Sequence, residues 1–243
     1  MLTLLLKEFR VFFSSLIAYV VITVFLVANG LFVWVFPGEM NLLDVGYANL
    51  DTMFALAPWL YLFLVPAVCM RLFADEQKAG TMELLLTRPL SDMKIVFAKY
   101  LAGLLVVFFS LVPTLLYFYS VYQLGSPVGN LDAGAIWGSY IGLFLLGAVY
   151  VSIGVFASSL TENQVVAFVL GLVGCFLLYS GFEYLGQMES LRSFQNGFIG
   201  LGIQEHYHSI SRGIIDSRDL VYFVSVVMIF LLMTRMVIQS RKW

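Results

Sequence analysis

"RLFADEQKAGTMELLLTRPLSDMKIVFAKY" occupies residues 71–100, and nine of these thirty residues are Asp, Glu, Lys or Arg. The apolar runs on either side, residues 52–70 and 101–123, hold none. So much charge between two such runs marks a short ordered segment at a membrane surface, with a spanning helix on each side of it. The rest of the chain agrees. Of its 243 residues, 61% are hydrophobic and only 12% charged, and mean hydropathy is +0.93. A soluble domain carries roughly 25% charged residues, so this composition is that of a membrane protein. Net charge is −2, which points to neither nucleic acid nor an acidic substrate. Cys69 and Cys175 lie inside apolar runs and read as small buried hydrophobes, not as a disulfide framework.

A helix needs about 20 apolar residues to cross the hydrocarbon core. Six stretches qualify, near residues 15–36, 52–70, 95–123, 133–158, 164–186 and 220–238. Pro58 and Pro66 fall in the second and Pro113 in the third, where each removes a backbone donor and is expected to kink its helix. Lys7 and Arg10 precede the first stretch as in a signal peptide. The uncharged run from Val11 nevertheless exceeds the usual h-region of about 7–15 residues, so a retained span is expected. The fold class is thus an all-α membrane protein, read as one domain over residues 1–243.

Six spans put both termini on one side. That side would hold Lys7, Arg10, Arg71, Lys78, Arg88, Lys94, Lys99, Arg235, Arg241 and Lys242, against Arg192, Arg212 and Arg218 on the other. The bias predicts cytoplasmic termini. Residues 2–13 are amphipathic and predict a helix lying in the cytoplasmic interface.

Three further stretches stand out. Gly80 and Thr81 are expected to open a short cytoplasmic helix, with Thr81 as N-cap, Glu83 in the first turn and Pro89 as its end; Ser91 then caps the third span. Gly138, Gly142, Gly154 and Ser158 in the fourth span, with Gly171 in the fifth, form small-residue stripes that let helices approach closely, within or between subunits. Between the fifth and sixth spans, Ile203, Tyr207, Ile210 and Ile214 recur at helical spacing and, with Arg212, predict an external surface helix that packs the outer ends or gates them. Asp216–Asp219 supplies an N-cap for the last span.

The missing chemistry narrows the field. No Gly-Lys dipeptide occurs, hence no phosphate-cradling loop. "EHYH" (residues 205–208) lacks metal-ligand spacing, and its histidines are expected to be exposed or capping. Glu183 falls near the outer end of the fifth span, and the middles of the spans carry no Asp, Glu, Lys, Arg or His, which disfavours an ion-coupled carrier. No catalytic residue and no bound cofactor or metal is expected.

"FADEQKAGTMELLLTRPLSDMKIVFAKY" (residues 73–100) resembles the coupling segment of ABC-2-type transporter permeases. With "SSLTENQVVAF" (158–168) and "HYHSISRGIIDSRDLVYF" (206–223), the chain is most similar to the permease subunit of gliding-motility-associated ABC transporters. Copper-related and drug or lipid exporters share much of the pattern. The resemblance implies six spans, an interfacial N-terminal helix and a coupling helix between spans two and three, in a bacterial inner membrane. It implies a cytoplasmic ABC ATPase as partner, through which ATP and Mg enter, and a second permease, a different chain or a copy. Glu76, Lys78, Gly80, Thr81, Glu83, Arg88 and Pro89 would then form or brace the ATPase contact. The implied work is export, or energising of a motility machinery. An ATP-independent secondary transporter is the reading from another class.

Overall fold

The computed structural model describes residues 2–82, 91–188, 197, 199–214 and 216–240. All regular structure among them is helical. Six helices are long and apolar enough to cross a membrane: Leu16–Val35, Asp51–Lys78, Asp92–Leu124, Ala133–Leu160, Gln164–Gln187 and Ser217–Ser240. They coincide with the six expected stretches, and where ends differ the helices mostly run longer.

Helix α1 (Leu2–Ser14) precedes the first span, which is α2 (Leu16–Gly30) with a closing π turn at Leu31–Val35. A short α3 (Leu42–Val45) follows, capped by the Asn41 side chain, which accepts from the Leu43 amide at 2.9 Å. The second span is α4 (Asp51–Cys69) continued by α5 (Arg71–Lys78). The third is α6 (Asp92–Leu111), a 3-10 turn at Val112–Thr114, and α7 (Leu115–Leu124). The fourth is α8 (Ala133–Leu160). The fifth is α9 (Gln164–Phe176), a π turn at Leu177–Gly181, and α10 (Phe182–Gln187). Helix α11 (Ile203–Ser211) lies between it and α12 (Ser217–Ser240), the sixth span.

The prolines act unequally. Pro58 and Pro66 sit inside an unbroken α4. Pro113 falls in the 3-10 turn that interrupts the third span. The interruption disturbs backbone pairing in apolar surroundings, where each unpaired group is costly. Tyr140 of α8 compensates by donating to the Thr114 carbonyl at 2.9 Å, while the Thr114 hydroxyl donates to the Leu111 carbonyl at 2.7 Å. Spans one to three are tied at mid-depth by a stack of Phe25 on Tyr61, centroids 4.5 Å apart. Since Ser110 donates to Val107, the Tyr61 hydroxyl must be the donor in its 2.7 Å bond to Ser110.

Helix α8 is the centre of the bundle: 78% of its most apolar window is buried, against 28% for spans one and five and 22% for span six. Its small residues explain this. A Cβ on Gly138 would lie 2.4 Å from the Ile210 carbonyl of α11, on Gly147 2.6 Å from Val107 of α6, and on Gly154 2.6 Å from Cys69 of α4. On Gly142 it would meet the Tyr207 ring at 3.3 Å, and on Gly171 of α9 it would meet Pro66 at 3.2 Å. Both cysteines are buried and free, as their apolar settings suggest.

Two consequences can be measured as thermal unfolding in detergent. Gly138→Ala forces a methyl group against backbone and should destabilise the protein by about 1–3 kcal/mol. Gly125→Ala, where a Cβ meets nothing closer than 3.4 Å, should leave the transition unchanged.

Candidate functional site

The charged stretch between spans two and three does not begin as a loop. The helix of span two continues past residue 70 as α5, burying Leu72, Phe73 and Ala74. It ends in a Schellman motif: the Thr81 amide bonds the Glu76 carbonyl at 3.0 Å and the Gly80 amide bonds Gln77 at 3.1 Å. Gly80 holds φ +66°, a left-handed turn that glycine adopts without penalty. Gly80 therefore closes one helix, where the sequence suggested that it opens another. Thr81 is non-helical and Met82 is helical and buried. Glu83, Arg88 and Pro89, and with them the expected coupling helix, lie outside the described residues. Ser91 stands at the N-cap of α6 through its backbone alone, with no side-chain bond to the helix.

Around α5 the terminal side of the bundle is knitted by charge. Lys99, on the first turns of α6, is 1% exposed. Its ammonium donates to the Leu72 carbonyl at 2.6 Å, pairs with Glu76 at 2.9 Å and Glu8 at 3.4 Å, and lies 5.0 Å over the Phe73 ring. Lys7 bridges the same two carboxylates at 3.3 Å each. Burial works against the Lys7 charge, but Glu8 and Glu76 outweigh it and hold its pKa above the ordinary lysine value. Two cations and two anions thus join α1, α5 and α6. A buried ion is tolerated only when so compensated.

The other side of α5 is fixed by hydrogen bonds to the α8–α9 junction. The Phe73 and Ala74 amides donate to the Ser158 hydroxyl at 2.9 and 3.2 Å, and that hydroxyl donates to the Met70 carbonyl at 3.0 Å. Gln77 reaches the Ser159 carbonyl at 2.9 Å, and the Gln164 amide donates to the Asp75 carboxylate. Gln239 of α12 reaches Asp92 of α6 at 3.3 Å.

The predicted coupling residues therefore separate. Glu76 turns inward and braces. Lys78, Gly80 and Thr81 are exposed, and Lys78 lines a cleft of about 400 Å³ with Glu162, Asn163, Gln164 and Val165. Sequence reasoning missed Glu8 and Lys99. The available signals were a lone acid in the first 38 residues and a lone cation among Ile95, Val96, Ala98, Ala102 and Gly103.

On the opposite side, α11 (Ile203–Ser211) occupies the stretch whose apolar residues recur at helical spacing. Ile203, Tyr207 and Ile210 are buried. Tyr207 donates to the Phe54 carbonyl at 2.8 Å, and burial, by desolvation, pushes its hydroxyl pKa up. Ile214 departs from expectation: the helix stops at Ser211, Gly213 takes φ +83°, and Ile214 is 69% exposed. Arg212 is exposed, its Nε donating to the His208 carbonyl at 3.4 Å. Asp216 does cap α12, accepting from the Arg218 amide at 2.9 Å. His206 is neither exposed nor a cap: it pairs with Asp219 at 2.7 Å. Among the described residues no group of His, Cys, Asp or Glu could hold a metal.

Removing the central cation should expose the cost of the cluster. Lys99→Met leaves two carboxylates facing each other in a buried site and should cost about 3 kcal/mol or more in thermal unfolding. Adding Glu8→Gln and Glu76→Gln to it should recover most of that loss.

Comparison with curated proteins returns no match. A family model described as ABC-2 family transporter protein matches residues 2–239, nearly the whole chain. The six spans and the helix before them are consistent with that match. The chain belongs to the ABC-2 family of transporter proteins and is a membrane permease subunit of an ABC transporter.

Proposed function

We propose that this permease converts nucleotide-driven movement of a separate cytoplasmic ATPase into rearrangement of its membrane helices, through the segment that follows α5. The observation that carries this reading is mechanical. Helix α5 is continuous with span two, ion-paired to α1 and α6, and hydrogen-bonded to the α8–α9 junction. A displacement at residues 79–91 is therefore delivered to spans two, three, four and five together. In this reading the terminal side is cytoplasmic, in line with the distribution of Lys and Arg, and the membrane is the bacterial inner membrane.

The ATPase would meet Lys78, Gly80 and Thr81, the Lys78–Glu162 cleft, and Glu83, Arg88 and Pro89. Glu76 serves as a brace behind that surface. The chain has no phosphate-cradling loop of its own, so it acts as a non-enzymatic subunit, with ATP and Mg held by the partner. Nucleotide shifts the permease only if the ATPase binds its two conformations unequally.

Within the family, the stretches 158–168 and 206–223 support a gliding-motility-associated permease, paired with a second permease of different sequence. Its work would be export or the energising of a motility machinery. Purification of the complex and identification of its subunits tests this: a second, distinct permease chain is expected, and recovery of a single permease species counts against the heteromeric arrangement.

Docking is tested directly by co-purification with the ATPase. Lys78→Glu should reduce recovery about three-fold, as the loss of a rim charge does. Glu83→Arg combined with Arg88→Glu should reduce it further, with membrane insertion unchanged. Undiminished ATPase recovery with both variants overturns the reading, as does substrate flux in liposomes at full rate without any ATPase.

A further inference from the structure

The turn before α11 and the start of α12 are joined by one imidazole. His206 Nδ1 lies 2.7 Å from Asp219 Oδ1, and Nε2 lies 3.0 Å from the Gly200 carbonyl oxygen. A carbonyl only accepts, and so does a carboxylate. A neutral imidazole has a single N–H and cannot donate to both. The arrangement is complete only when the His206–Asp219 pair holds one proton more than a neutral histidine and a carboxylate. That holds whether the proton resides on Nδ1 or on Oδ1.

Two contacts surround the pair. The His206 ring is stacked on Tyr222, centroids 3.8 Å apart and planes within 20°, a geometry that attracts a cation. Asp219 is 6% exposed and its Oδ2 has no hydrogen-bond partner. Without the proton, its negative charge would lack the one cation paired with it among the described residues. His206 itself is 17% exposed, so the ring can exchange protons with water.

The other polar groups near this pair differ in kind. From α12, Tyr222 donates to the Leu201 carbonyl at 2.6 Å, a second clasp on the same turn. From α10, Glu183 follows Phe182, the residue against which Gly202 packs, and accepts from Gln187 at 3.4 Å. Glu205 and His208 are exposed on α11. Helix α8 presents Tyr140, whose hydroxyl is engaged by Thr114, and no charge.

We propose that His206 and Asp219 form a proton-operated latch on the face opposite the termini. Protonated, the latch fastens the turn at residues 199–202 and α11 to the start of α12. Deprotonated, the ring keeps only one of its two bonds, so the join it makes between the turn and α12 is broken and the Tyr222 clasp is left. Helix α11 covers the outer ends of spans two and four through Tyr207, Gly138 and Gly142. Acidity in the compartment on that side therefore sets how firmly the outer ends are held together. The inference does not depend on the ATPase reading.

The test is hydrogen exchange on the full chain in lipid nanodiscs at about pH 5.5 and about pH 8. Rates are corrected for the intrinsic pH dependence of exchange. Protection of the α11 amides should fall about ten-fold at the higher pH, the loss of one charge-assisted bond. Asp219→Asn should abolish this pH response while keeping protection, because its amide donates to neutral Nδ1 and leaves Nε2–H for Gly200. Equal protection of the unmodified chain at both pH values overturns the latch, and so does an unaltered pH response in Asp219→Asn. Should that variant fail to fold, nitrogen NMR of the His208→Gln chain reads His206 alone. A ring carrying one proton at the lower pH, with no proton shared with Asp219, overturns the proposal.

Discussion

A lysine ammonium with 1% exposure is the constraint on which the terminal side of this permease depends. Lys99 can be buried only because Glu8 of α1 and Glu76 and the Leu72 carbonyl of α5 surround it. The N-terminal helix, the extension of span two and the beginning of span three must therefore dock together. Any arrangement that separates them strands a charge where water is scarce, at a cost far above that of an exposed pair. The cluster is a fastening whose strength comes from the penalty for opening it.

Beyond this fastening, the bundle is held by shape. Helix α8 uses glycines where α4, α6 and α11 approach, so that its backbone meets theirs without intervening side chains. Close backbone approach raises the number of dispersion contacts, the main attraction available between helices in lipid. Polar groups enter this interior only with partners already arranged, as where Tyr140 bonds the Thr114 carbonyl beside the break at Pro113.

The two faces are built on different physics. On the terminal side, α5 is fixed by ion pairs and by the Ser158 hydroxyl, which serves two amides and one carbonyl. On the opposite side, α11 is seated by buried Ile203, Tyr207 and Ile210 and joined to α12 through the His206 ring. On the first face the charges of the cluster are paired, two cations with two anions. The second rests on an imidazole whose bonding depends on a proton.

The spans, the amphipathic first helix and the Asp216 cap were legible in the sequence, because length, hydropathy and capping chemistry are local properties. So was the buried stripe of Ile203, Tyr207 and Ile210, which follows from helical period. Where that period stops was not legible: the left-handed turn at Gly213 leaves Ile214 outside. Gly80 shows the same limit, since a glycine before a threonine fits the end of one helix as well as the start of the next. Lys99 and Glu8 are 91 residues apart, and nothing local marks them as partners. The sequence by itself determined how many helices are long and apolar enough to cross the bilayer. Only the tertiary structure decided which charges are buried against each other and which histidine is enclosed, because compensation of a buried charge is a property of neighbours in space.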